Sequence, residues 1–161
     1  MPRCGTGALA YLPSYVKARV HLAEIYAGMG RFLDAEVLLM PTLSSGDPEV
    51  RWRLSAVLIA QERFAEAGVQ LGAARRGFEA LLREHVLAFA DHGAEFYAGP
   101  GDDSERALEL VRVNVANRPT QRALRQAHAI TARAPERTMV IQKSQLIVAQ
   151  LGWARDVSFS A

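Results

Sequence analysis

Cysteine occurs once in the 161 residues, at Cys4, so no disulfide forms within the chain and no cysteine-based metal cluster can be built from it. A solitary thiol beside a terminus reads as inert, with redox linkage to a partner as its other use. Neither sign of charge dominates, because 19 Lys and Arg stand against 17 Asp and Glu for a formal net charge of +2. That is not the basic excess of a chain built to coat nucleic acid. Aromatic residues make up 7%, and none interleave with the arginines as a stacking platform for single strands requires. No apolar run approaches the roughly 18 to 20 residues that span a bilayer. The N-terminal MPRCGTGALAYLPS lacks the apolar core and A-x-A site of a secretion signal, so the expectation is a cytoplasmic chain without a membrane partner. With 50% hydrophobic and 22% charged residues it is too apolar for disorder and close to one average domain in length.

What the chain does have is a repeat. GRFLDAEVLL, from Gly30 to Leu39, returns as ERFAEAGVQL, from Glu62 to Leu71, a step of 32 that keeps Arg, Phe, Ala, Val and Leu in register. Repeats of about 20 to 50 residues are supersecondary units that cannot bury their own apolar face and must stack.

The periodicity within each repeat is helical. Val20, Leu22, Ala23, Ile25, Tyr26 and Ala27 share helical spacing and stop at Gly28 and Gly30. Phe32, Ala35, Val37, Leu38 and Leu39 resume it until Pro41, and Ser44 to Pro48 form a turn. The second repeat follows with Trp52, Leu54, Val57, Leu58 and Ile59, then Phe64, Ala67, Leu71 and Ala74, and Glu62 stands where Gly30 did. Its second helix runs on through Phe78, Leu81 and Leu82, and another begins near Glu84. GPGDDS, Gly99 to Ser104, is the clearest turn, with Ser104 the expected N-cap of the helix ERALELVRVNVAN. Pro119 ends that helix, Thr120 caps QRALRQAHAITARA, and Pro135 breaks it before an amphipathic stretch from Met139 to Trp153 and a loose tail.

These residues resemble the tetratricopeptide repeat, whose unit of about 34 residues carries L-G-x2-Y, then Ala, then a large residue, then Pro. Leu22, Ala23 and Tyr26 fit its first helix, with Gly30 at the turn and Ala35 and Leu39 on its second. Leu54, Leu58, Ala67, Leu71 and Ala74 repeat the frame, and Ala107, Val111 and Pro119 match its second half. The resemblance spans roughly residues 8 to 134. It departs from the pattern at the usual Trp position, at the second turn, and by about one inserted residue in GPGDDS.

The fold it implies is all-α, a right-handed α–α superhelix of helical hairpins. Residues 1–15 would end a partial preceding repeat, 16–135 would hold three hairpins and the first helix of a fourth, and 136–161 a C-terminal helix and tail. The resemblance further implies a non-catalytic module that takes a peptide or partner helix in a concave groove lined by the first helices. It nominates Lys17, His21 and Glu24 in the first repeat, Trp52 in the second, and Asp91, His92 and Glu95 in the third. On the residues alone, Trp52 falls toward the exposed side of its helix, but core or inter-repeat packing is the stronger account of it. The family's clamp for carboxylate tails does not carry over, because Glu24 occupies a slot where Asn is expected.

Chemistry has little to work with. His85 and His92, seven apart with Asp91 and Glu95 nearby, lack the i, i+4 pair of a zinc helix, so no metal or other cofactor is expected. His21 and His128 read as groove or packing residues. No G-x-S-x-G, H-E-x-x-H or phosphate-binding glycine loop occurs, and no catalytic set is expected. Arg106, Arg112, Arg118, Arg122 and Arg125 read as a solvated face, or as a grip on phosphates if the chain is instead an arginine-using nucleic-acid binder. A third expectation is the regulatory arm or a fragment of a larger enzyme. The apolar Leu9, Tyr11 and Leu12 at the first edge point to cover by self-association or by upstream residues.

Overall fold

The computed structural model of the chain describes residues 15–133, and all regular structure among them is helical, with no strand. The expected segment before Pro13, the break at Pro135 and the stretch from Met139 to Trp153 lie outside the described residues.

Helix α1, Val16–Gly28, ends where Gly30 takes a left-handed φ of 74° and lets the Arg31 amide reach back to the Tyr26 carbonyl at 2.8 Å. Helix α2, Phe32–Leu39, follows at once and passes into a 3-10 turn, Met40–Ser45, at Pro41, which has no amide to continue an α-helix. There the Thr42 hydroxyl donates to the Leu39 carbonyl at 2.7 Å. Asp47 accepts from the Glu49 amide at 2.9 Å and Pro48 takes the first helical position, so α3, Pro48–Ala60, begins with both favoured start residues.

At the end of α3 the first turn is rebuilt without glycine. Glu62 adopts φ 61°, and the Arg63 amide reaches the Leu58 carbonyl at 2.9 Å. The parallel extends to the charged pairs, since Arg31 Nε donates to Asp34 at 2.7 Å and Arg63 Nε to Glu66 at 2.7 Å, each pair 32 residues from its counterpart.

A helical stretch, Phe64–Ala98, then runs on and is interrupted at His85, whose φ of −139° and ψ of 47° are non-helical. We number the part before the break α4 (64–84) and the part after it α5 (86–98). The break falls beside Glu84, where the sequence places the next helix start. Helix α6 is Ser104–Asn117, and α7 covers 121–133, capped by the Thr120 hydroxyl, which accepts from the Ala123 amide at 3.2 Å.

Two details of the third turn differ from expectation. The N-cap of α6 is Asp103, whose carboxylate accepts from the Arg106 amide at 2.9 Å, and Ser104 is already helical. A carboxylate there gains from the helix dipole as well as from the hydrogen bond. The insertion is also two residues and not one. Tyr26 and Leu58 each lie five positions before the residue that precedes the next helix, Arg31 and Arg63, whereas Phe96 lies seven before Asp103.

The chain forms two compact units that divide between Phe89 and Ala90. In the N-terminal unit α1, α2 and α3 pack around Val20, Ala23, Ala35, Leu39, Val50, Leu54, Val57, Leu58 and Ala67. Ala35 and Ala67 keep side chains at the helix crossings short, and Gly77 on α4 goes further, since a Cβ there would stand 2.8 Å from that of Pro48. In the C-terminal unit Phe96 and Tyr97 are fully buried, edge to face at 5.1 Å, with Ala107 and Leu110 equally buried on α6.

Candidate functional site

In the N-terminal unit, three nominated residues fall on one face of α1, because Lys17, His21 and Glu24 follow the i, i+4, i+7 spacing of a helical stripe. The structure joins them to α3 through a continuous chain of charge. Lys17 Nζ donates to Glu49 Oε2 at 2.7 Å and lies 3.2 Å from Asp47 Oδ2. Arg53 Nη2 donates to Glu49 Oε1 at 3.3 Å. Arg53 Nε sits 2.7 Å from Glu24 Oε1, although its N–H is not aligned for a hydrogen bond, and Glu24 Oε2 meets His21 Nδ1 at 3.0 Å. Glu49 is buried at the centre of this chain. Partial burial opposes the Lys17 ammonium, but the hydrogen bond and attraction of Glu49, reinforced by Asp47, outweigh it and hold its pKa above the ordinary lysine value.

Trp52 is placed in the interior and not on an open groove wall. It is 8% exposed, its ring meets Phe78 edge-on at 6.2 Å, and the Arg53 guanidinium stacks on it at 3.9 Å. The tryptophan thus holds the arginine flat while the arginine closes the tryptophan off from water.

Between α1 and α3, with Leu39 of α2 at its base, lies a half-open cavity of about 320 Å³ lined by Ala23, Glu24, Ala27, Leu39, Arg53, Ala56 and Val57. A smaller one of about 200 Å³ lies between α2 and α4 beside Met40, Leu43 and Val69. At its rim Arg63 bridges Glu36, at 2.8 Å, and Glu66, at 2.6 Å. Its hydrogen bonds with Glu66 and then Glu36 raise the Arg63 pKa, and the same bond lowers that of Glu66.

Sequence reasoning missed Glu49, Arg53 and Ala56. The signal that finds them is the repeat itself, because a step of 32 carries Lys17 to Glu49, His21 to Arg53 and Glu24 to Ala56. The same step carries fully buried Val20 to Trp52, which marks Trp52 as a core position.

In the C-terminal unit the nominated Asp91 and Glu95 come together through Gln126 of α7. Its Nε2 donates to the Asp91 carbonyl at 2.9 Å and to Glu95 Oε1 at 3.2 Å, and its Oε1 accepts from buried Asn114 at 3.1 Å. Arg122 Nη2 approaches Glu95 at 3.9 Å, and His92 Nε2 lies 3.9 Å from Asp91 Oδ2. Asp91 Oδ1 is buried without a hydrogen-bond partner. His85 stands at the helix break with its side chain 61% exposed, so it does not share a helical face with His92. Arg112, Arg118, Arg122 and Arg125 are exposed, and Arg106 pairs with Glu109 at 2.6 Å.

Among the described residues no group of three His, Cys, Asp or Glu side chains is arranged to hold a metal ion. No helix among them is long and apolar enough to cross a membrane. Comparison with family models, with curated proteins and with solved structures finds no match.

Proposed function

We propose that this chain is a non-catalytic protein-interaction module of the tetratricopeptide kind, a right-handed superhelix of helical hairpins that takes a peptide or a partner helix along its first helices. The repetition of geometry with sequence carries this reading. At the same 32-residue step the chain repeats the left-handed turn residue, Gly30 then Glu62, the reach-back from Arg31 then Arg63, and the arginine–carboxylate pair that follows. A chain that builds the same hairpin twice offers an extended surface, and stacked repeats use such surfaces to bind. The polar chain from Lys17 to His21 and the Asp91, Glu95 and Gln126 cluster supply mixed polar contacts of the kind that orient a bound segment.

The test is capture of partners from a lysate of the source cell by the immobilised full chain, compared with Glu24→Ala and Glu95→Ala. Circular dichroism should show both variants folded, and the reading expects at least one to lose captured proteins. Unchanged capture by both folded variants removes these residues from the groove. Capture that vanishes after nuclease treatment and falls steeply with salt overturns the reading in favour of a nucleic-acid binder.

A further inference from the structure

The α1–α3 cavity has an apolar floor and a rim of paired charges. Ala23, Leu39 and Val57 form the buried floor, while Ala27 and Ala56 add methyl groups nearer the mouth. Its polar lining consists of Glu24 and Arg53, which face each other at 2.7 Å, and each holds a second partner, His21 for Glu24 and Glu49 for Arg53. At about 320 Å³ the cavity lies at the lower end of the roughly 300 to 1,000 Å³ typical of small-molecule sites, so it has room for one side chain and its adjoining peptide but not for a large cofactor.

Electrostatics argues against a charged occupant. A carboxylate brought to Arg53 meets Glu24 and Glu49 on the same guanidinium, and an ammonium brought to Glu24 meets Arg53. In either case the newcomer competes with an ion pair already in place and gains little. Glu24 and Arg53 are the two charged residues of the lining and they pair with each other, so the mouth offers an unpaired partner to neither sign. An uncharged aliphatic side chain displaces only water from methyl-lined walls. The repeat also opens the mouth at this point, because Ala56 takes the place that Glu24 holds one repeat earlier.

We propose that this cavity is a subsite for one uncharged aliphatic side chain, of leucine, isoleucine or methionine type, presented by a partner segment with neutral flanks. The proposal rests on the interaction-module reading and names the chemistry of its partner at this point. It gives the shape and neutral lining of the pocket, and not the paired charges around it, the selecting role.

Nuclear magnetic resonance titration of the full chain tests it with three probes: N-acetyl-leucinamide, N-acetyl-glutamate amide and N-acetyl-lysinamide. The leucine probe should shift the methyl signals of Ala23, Ala27, Ala56 and Val57 and saturate on the order of 10 mM, as one buried side chain allows. That shift should be unchanged between low and high salt. Ala56→Phe, on an exposed position of α3, should fill the mouth and weaken the leucine probe at least tenfold while the amide spectrum stays folded. Absence of any methyl shift, or tighter binding of either charged probe, overturns the proposal. Lysate partners that Ala56→Phe captures as well as wild type also overturn it but leave the interaction reading standing, whereas wild-type capture that vanishes after nuclease treatment counts against that reading itself.

Discussion

Glu62 and Gly30 fill the same place in consecutive turns, and only one of them suits it. A left-handed φ costs an L-residue with a side chain roughly 1 to 2 kcal/mol relative to its right-handed well, and glycine avoids that cost. Glu62→Gly should therefore raise the urea midpoint by an amount worth about 1 kcal/mol, and Gly30→Ala should lower it by a similar amount. A fall in midpoint for Glu62→Gly would mean that the Glu62 side chain contributes more than its backbone loses. Lys17 carries a pH signature. Its folded pKa is raised above the ordinary 10.5, so its contribution is fully present below that value and is lost as pH rises through the higher folded one. With its side chain 43% exposed, the discounted contribution is about 0.5 kcal/mol. The stability difference between wild type and Lys17→Met should be constant from pH 7 to 10 and shrink above pH 10.5 in denaturant titrations. A difference that grows with alkalinity would contradict the pairing with Glu49.

Helix boundaries were legible to within a residue or two wherever glycine or proline marks them, as at Gly28, Pro41, Pro48 and Pro119. They were less so where backbone geometry replaces a marker. Nothing in LLREHVLAF breaks a helix by composition, yet the backbone is non-helical at His85, between buried Phe78 and Leu82 of the N-terminal unit and buried Ala90 and Ala94 of the C-terminal unit. The sequence offers two good N-caps for α6 in Asp103 and Ser104, and the structure gives the role to Asp103, whose carboxylate accepts from the Arg106 amide one residue before the expected Ser104. Asp103→Ala should cost about 1 kcal/mol in thermal or urea unfolding, and Ser104→Ala no more than a few tenths. Equal losses would return the cap to Ser104.

At the scale of the N-terminal unit, α1, α2 and α3 each bury their apolar faces against the other two, and no single helix is stable by its own propensity. Leu54, 1% exposed, sits in the middle of that arrangement. Leu54→Ala should cost about 2 to 5 kcal/mol, and amides of all three helices should lose hydrogen-exchange protection together. Loss confined to α3 would mean that the three do not form one cooperative body. The repeat, the helical class and the position of nearly every turn came from the sequence, because helical spacing and glycine or proline markers are local properties that neighbouring residues set. Lys17, His21 and Glu24 were also legible as one stripe, since their spacing alone puts them on a common face. What closes that stripe was decided by tertiary packing: α3 brings Glu49 and Arg53 within reach of α1, and the burial of Phe78 draws Trp52 inward. Which charges pair and which walls enclose a cavity depend on the approach of helices distant in sequence, and no local pattern encodes that distance.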